Sequence, residues 1–404
     1  MKILLVEFNP SGGLFQFGFQ LGHGLAELGH DVELLTGPDP ELSSEHPRFR
    51  VVPVLPTWHP APPSVEHAVL RKARRILRAL QYVHAWRRLV REIATRSPDV
   101  VQWGSWRFTV DGLFVRSVAR RQPRPVLVDL CHEPRRSSWP TVGVPRQNPV
   151  YRWSLGGAFR AMDAVLVLGD RVREDFREVW PGARRVEVIP HGDESVFLTT
   201  GVAPVEHTGM QVLFFGTLAG YKGIDVLLDA WSQVRSRLPA AELVLAGAPG
   251  DVDLRELQRR ADALGGVTLR IGYVPMADVP ALFGAARVVV VPYVSASQSG
   301  VVHLAQTFAR PVVATEVGDI PDVVTDGETG VLVPPRDPEA LARGLEALLV
   351  DIAEAARRGE AGRARLAHAA SWTSVARRVQ EIFEELLADR GRASAGERPA
   401  RNAS

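Results

Sequence analysis

Lys222 is the strongest single candidate for chemistry. It ends the run GTLAGYK, residues 216–222, and Gly223 then leads into an apolar helical pattern. A lysine in a glycine-containing turn ahead of a helix can balance phosphate charge, and Gly216 and Gly223 leave room for the phosphate. A second polar turn, Gln298-Ser299-Gly300-Val301, follows the apolar run RVVVVP and opens another helix. Its backbone N–H groups and the helix dipole suit an anion. Gly12-Gly13 forms a third turn after an opening apolar run. This turn lacks the GxGxxG spacing, so no dinucleotide fingerprint is present. His132-Glu133 and His191 each follow an apolar run. A histidine at the carboxyl end of a sheet strand can meet a substrate hydroxyl or move a proton. Taken singly, each feature equally fits an ordinary turn of a βαβ unit.

The elements that position these residues alternate strand and helix along the whole chain, which argues α/β architecture with parallel sheets. Lys2–Phe8 reads as the first strand, Leu14–Leu28 as its helix and Asp31–Thr36 as the next strand. Residues 193–210 carry few apolar residues and no period, so they read as a linker. A second series starts at Gln211. Two doubly wound halves with loops at their strand ends imply a cleft that both halves line. Trp372–Ala388 reads as a last amphipathic helix, with Val375, Val379, Ile382, Phe383 and Leu386 on one face. The expected layout is 1–195, 196–370, a helix over 371–389 and a disordered tail over 390–404.

Composition narrows the classes. The 404 residues, 46% hydrophobic, suffice for two full cores. Net charge is +2, but residues 1–195 hold 27 Lys and Arg against 21 Asp and Glu, and the remainder 21 against 25. Between Arg71 and Arg96 nine basic residues stand against Glu92 alone, in a helical pattern that contains Trp86. Such a helix can lie on an anionic membrane surface or simply be a solvated face. Cys131 is the only cysteine, which precludes an internal disulfide and fits a reducing, cytoplasmic location. No signal peptide or membrane span is expected, and no nucleic-acid partner is indicated.

Several runs together resemble a known family. They are VLFFGTLAGYKGIDVLLDAW (212–231), ELVLAGAPG (242–250), GYVPMADVPALFGAARVVVVPY (272–293) and SGVVHLAQTFARPVVATEVGDIPDVVTDGETGVLVPP (299–335). DLCHEP (129–134) and VIPHGD (188–193) add to them. The chain resembles retaining glycosyltransferases of family 4, glycosyl transferases group 1. The resemblance implies the GT-B fold: two Rossmann-like domains facing a cleft, with the C-terminal helix crossing back to the N-terminal domain. It implies hexose transfer from a UDP- or GDP-sugar to a glycan, a lipid-linked acceptor or a small molecule, with no metal and no cofactor beyond the donor.

By the same resemblance, Gly12, Gly13, Gly216, Thr217, Lys222, Gly223, Tyr273, Val274, Gln298, Ser299, Gly300, Val301 and Leu304 bind the donor. His132 and Lys222 are the catalytic candidates, and His132, Glu133 and His191 face the acceptor. Three positions depart from the family pattern. Thr217 replaces an arginine, and Ala296 and Leu304 replace two glutamates spaced eight apart. These departures motivate an alternative, a catalytically weakened sugar-nucleotide-binding or partner subunit. A nucleotide-sugar 2-epimerase shares the two-domain fold, but residues 216–228 favour the transferase.

Overall fold

The computed structural model describes residues 1–404 except 59–67, 105, 107, 133, 135–148, 199–200, 202, 297–298 and 395–404. Two compact units emerge. The first contains β1 (Lys2–Val6), α1 (Gly13–Glu27), β2 (Asp31–Leu35), β3 (Phe49–Val52), α2 (Ala68–Arg96) and β4 (Val100–Trp103). It continues through α3 (Thr109–Ala119), β5 (Val126–Cys131), α4 (Pro149–Ala161), β6 (Ala164–Val167), α5 (Asp170–Val179) and β7 (Val186–Val188). Its seven strands run parallel in the order β3-β2-β1-β4-β5-β6-β7. The strands are near-continuous apolar runs because helices cover both faces of the sheet. All six residues of β5 are buried.

The second unit contains β8 (Gln211–Phe215), α6 (Ile224–Arg237), β9 (Glu242–Gly247), α7 (Leu254–Leu264), β10 (Val267–Ile271), α8 (Val279–Ala285) and β11 (Val288–Val291). Then come α9 (Gly300–Thr307), β12 (Val312–Thr315), α10 (Ile320–Val323), β13 (Gly330–Val333), α11 (Pro338–Val350) and α12 (Ile352–Ala369). Its six strands are parallel in the order β10-β9-β8-β11-β12-β13. In both sheets the winding reverses beside the first strand, at β1/β4 and at β8/β11. Loops leaving the carboxyl ends of strands at such a point leave a crevice for ligands. This is the two-domain GT-B architecture.

The last helix, α13 (Trp372–Ser394), returns to the first unit. Val375, Val379, Ile382 and Phe383 are fully buried there with Phe15, Leu21 and Leu25 of α1. Burying a side chain of this size contributes about 1.5–3 kcal/mol. The expected tail needs correction, since the helix passes Arg390 and ends at Ser394. Arg390 holds that extra turn by donating to the Arg124 carbonyl at 2.7 Å and pairing with Asp163. Residues 395–404 lie outside the described residues.

The stretch read as a linker is also more structured than its composition suggests. Short 3-10 turns occupy Ser195–Phe197 and Val205–His207. Phe197 and Val205 are buried in the cores of the second unit. The boundary between the units falls at Pro190–His191, so His191 belongs with the second unit.

Candidate functional site

The second unit gathers most of the residues nominated from sequence. Gly216 leaves the end of β8 with φ +116, and its N–H donates to the Ala246 carbonyl at 2.9 Å. A β-carbon on Gly216 would lie 2.6 Å from the Lys222 ammonium nitrogen and 3.9 Å from Val301 Cγ2. Gly216, Lys222 and the first turn of α9 therefore converge at the β8/β11 switch point. Gly223 has φ +71 and is the N-cap residue of α6, and a β-carbon there would stand 1.9 Å from the Pro292 carbonyl oxygen. That close approach seats the lysine turn against the end of β11.

Lys222 is buried, and among the described residues no acidic side chain pairs with it. Its ammonium lies 5.2 Å from the centroid of the Tyr293 ring. A cation held this way has lost water without gaining an anion, so an anionic ligand at this point stabilises it. Ser299 is the N-cap residue of α9, and its hydroxyl is 3.5 Å from the Tyr293 hydroxyl. The N–H of Val302 is taken by the Ser299 carbonyl at 3.1 Å, whereas those of Gly300 and Val301 have no intrahelical acceptor. Cation and helix N-terminus together form an anion-binding corner.

Behind this corner two imidazoles stack. The ring centroids of His191 and His303 are 4.3 Å apart and the planes differ by 22°. Each Nδ1 faces a carbonyl at 3.3 Å, Gly192 for His191 and Ser299 for His303. A carbonyl only accepts, so both rings carry their proton on Nδ1 and leave Nε2 as an acceptor. Burial and then the neighbouring His303 hold His191 down at about 3, and burial holds His303 at about 4. His191 Nε2 lies 3.5 Å from the β-carbon position of Gly300, so this residue adjoins the helix N-terminus of its own unit.

Tyr273 and Val274 follow the edge strand β10, two strands from β8, and Tyr273 is 40% exposed. Leu304 is buried in the apolar cluster with Phe283, Phe308 and Val302. It offers no polar atom to a ribose. Thr217 follows Gly216 with its methyl beside Gly250, 3.0 Å from that residue's β-carbon position. Gln298 lies outside the described residues. Tyr293 and His303 went unnamed in the sequence reading. An aromatic residue closing the RVVVVP strand was a usable signal for Tyr293, whereas nothing local marked His303.

In the first unit, Gly12 (φ +85) caps α1 and donates its N–H to Glu41 at 3.1 Å, and Gly13 is the first helical residue. A β-carbon on either glycine meets nothing within 4 Å, so space is open above the turn. His132 leaves the end of β5 and meets the α1 residue Phe17 edge-on at 5.4 Å. The glycine turn and His132 thus share the carboxyl edge of one sheet. Glu133 lies outside the described residues. Among the described residues no group of three or more His, Cys, Asp or Glu could hold a metal ion.

Residues 13–192 match the glycosyl transferase 4-like domain, and residues 209–351 match the glycosyl transferases group 1 model. The alpha-maltose-1-phosphate synthase of Mycolicibacterium smegmatis is 33% identical over 59% of this chain and 67% of its own length. The chain is a group 1 glycosyltransferase.

This glycosyltransferase is also 26% identical to the glycogen synthase of Mycobacterium tuberculosis, across 97% of this chain and 96% of that one. Two solved structures share the glycosyltransferase's fold. Sucrose-phosphate synthase from Thermosynechococcus elongatus has a TM-score of 0.70 at 22% identity, covering 96% of this chain and 99% of that one. Anabaena HepE in complex with UDP-glucose has 0.71 at 17%, covering 95% and 100%.

Proposed function

We propose that the glycosyltransferase moves a hexose from a UDP- or GDP-sugar to an acceptor hydroxyl with retention of anomeric configuration, and without a metal. The observation that carries the reading is the buried ammonium of Lys222, paired with no acidic side chain among the described residues, beside the N-terminus of α9. A sugar donor's diphosphate has the charge and size for that corner. As the bond from anomeric carbon to phosphate oxygen breaks, negative charge grows on the leaving diphosphate. A fixed ammonium and oriented N–H groups stabilise that charge more than the ground state, which is the work a cation would otherwise do. In the retaining route the acceptor oxygen bonds the anomeric carbon from the leaving group's own face. Its proton passes to a phosphate oxygen of the donor.

Under this reading Gly12 and Gly13 leave the backbone of the first unit accessible to the substrate, and His132 faces the acceptor. Tyr273 and Val274 lie where the nucleobase would rest. The acceptor is a glycan, a lipid-linked sugar or a small molecule. His191 is reassigned here from the acceptor to the donor side, because it adjoins Gly300.

Incubation with a panel of UDP- and GDP-sugars, followed by mass spectrometry of hydrolysis and transfer products, tests the proposal. A released nucleotide with a glycosylated product supports it. Nucleotide binding with no turnover across the panel would favour a binding subunit, a reading motivated by Thr217 and Leu304.

A further inference from the structure

Helix α2 reverses its amphipathic character part-way along. Its second half buries Tyr82, Ala85, Trp86, Leu89, Val90 and Ile93 in the first unit's core. At 3.6 residues per turn, Ala73, Ile76, Leu77 and Leu80 fall on the opposite side of the helix. Ile76, Leu77 and Leu80 are accordingly 56%, 57% and 64% exposed. Arg75 and Arg78 are on the side that follows the buried face, with Arg78 over the Trp58 ring at 5.1 Å. The outward line does not end at Leu80. It continues through His84, Arg87, Arg88 and Arg91, all exposed. One face therefore carries an apolar end and a cationic end, spanning about 27 Å from Ala73 to Arg91 at 1.5 Å per residue.

We propose that this outward face of α2 docks the glycosyltransferase on an anionic lipid surface. Leu80, Leu77 and Ile76 enter the boundary between headgroups and acyl chains. Arg87 and Arg91, which pair with no acidic residue among the described residues, meet lipid phosphates. Charge complementarity selects this occupant. The sequence holds no acidic residue between Glu66 and Glu92, so the stripe repels basic partners and attracts anionic ones. A helix with apolar and basic residues on one face, on a protein with no described helix able to cross a bilayer, is suited to lie in the interface. The surface is distinct from the donor corner and stands whether or not the transfer reaction proposed above is correct.

Sedimentation of the full chain with phosphatidylcholine vesicles, with and without phosphatidylglycerol, tests this. Binding is expected only with phosphatidylglycerol and should weaken at high salt. The Arg87→Gln/Arg91→Gln variant should lose about fivefold in partitioning per arginine. The Ile76→Ser/Leu77→Ser/Leu80→Ser variant should release the protein while its thermal melt stays unchanged, because these side chains are exposed. Absence of binding, or binding that neither variant alters, overturns the proposal. So does a lipid-free protein whose solution mass halves on the triple substitution, since the face would then join two copies of the chain.

Discussion

The imidazoles of His191 and His303 stack at 4.3 Å beside the N-terminus of α9, each with its Nδ1 proton directed at a backbone carbonyl. The pair joins His191, where the chain passes into the second unit after β7, to the helix proposed to hold the donor. Protonating either ring would place a cation next to its neighbour in a buried setting.

That arrangement makes stability depend on pH. Both folded-state values lie below the ordinary histidine range, at about 3 and about 4. The unfolded chain therefore takes up protons first as pH falls. The stabilisation is fully present above about pH 6.5 and drains away toward about pH 4, with His303 alone accounting for on the order of 3 kcal/mol. Urea midpoints at several pH values in that window should fall steeply for the natural chain. They should fall less for His303→Leu. Parallel curves for the two proteins would rule the pair out as the source.

Lys222 should matter for binding and not for folding. A buried ammonium without an anion contributes little to stability, so Lys222→Met should melt at the same temperature or higher. Its loss removes one charge-assisted contact, typically about 1.5–3 kcal/mol, or at least tenfold in affinity for UDP or GDP. Calorimetry reads the affinity. Full turnover in this variant would remove Lys222 from the proposed mechanism.

Two glycines with positive φ should respond differently to alanine. Gly223 is in the left-handed helical region and Gly12 in the extended positive-φ region, and strain in either costs a side chain about 1–3 kcal/mol. Gly12 has open space around its β-carbon position, whereas Gly223 would also place a carbon 1.9 Å from the Pro292 carbonyl oxygen. Thermal melts should show Gly223→Ala clearly less stable than Gly12→Ala. Equal losses would mean that the end of β11 yields without cost.

Asp129 gives the opposite pH behaviour. Burial, with Asp111 and Glu7 nearby, pushes its carboxyl well above the usual range, and its buried Oδ1 has no hydrogen-bond partner among the described residues. The folded chain keeps this proton while the unfolded chain loses it near pH 4, so the natural protein loses stability as pH rises from there. Asp129→Asn should therefore gain in melting temperature relative to the natural chain as pH increases. A difference that stays constant with pH would contradict the assignment.

Much of this architecture was legible from sequence. Buried parallel strands such as β11 and β12 are continuous apolar runs, and the turns after them carry the site. Lys222 and Gly216 were legible together because one short turn contains both. What escaped depended on distant partners. Tyr293 meets Lys222 through the β8/β11 pairing. His303 meets His191 through the packing of α9. Arg390 extends α13 through Asp163, which no local pattern in a polar tail discloses. Leu304 could be placed by register, but its place in the apolar cluster needed the folded unit.

The return of α13 also sets an order of events on the ribosome. The second unit is complete once Ser371 has emerged, since its strands and helices lie between His191 and that residue. The first unit, although synthesised earlier, must wait for Val375 through Leu386 to close the core around α1. Domains generally fold as units during synthesis, the N-terminal one first. Here the sequence is inverted: the nascent first unit stays open until the second has been made.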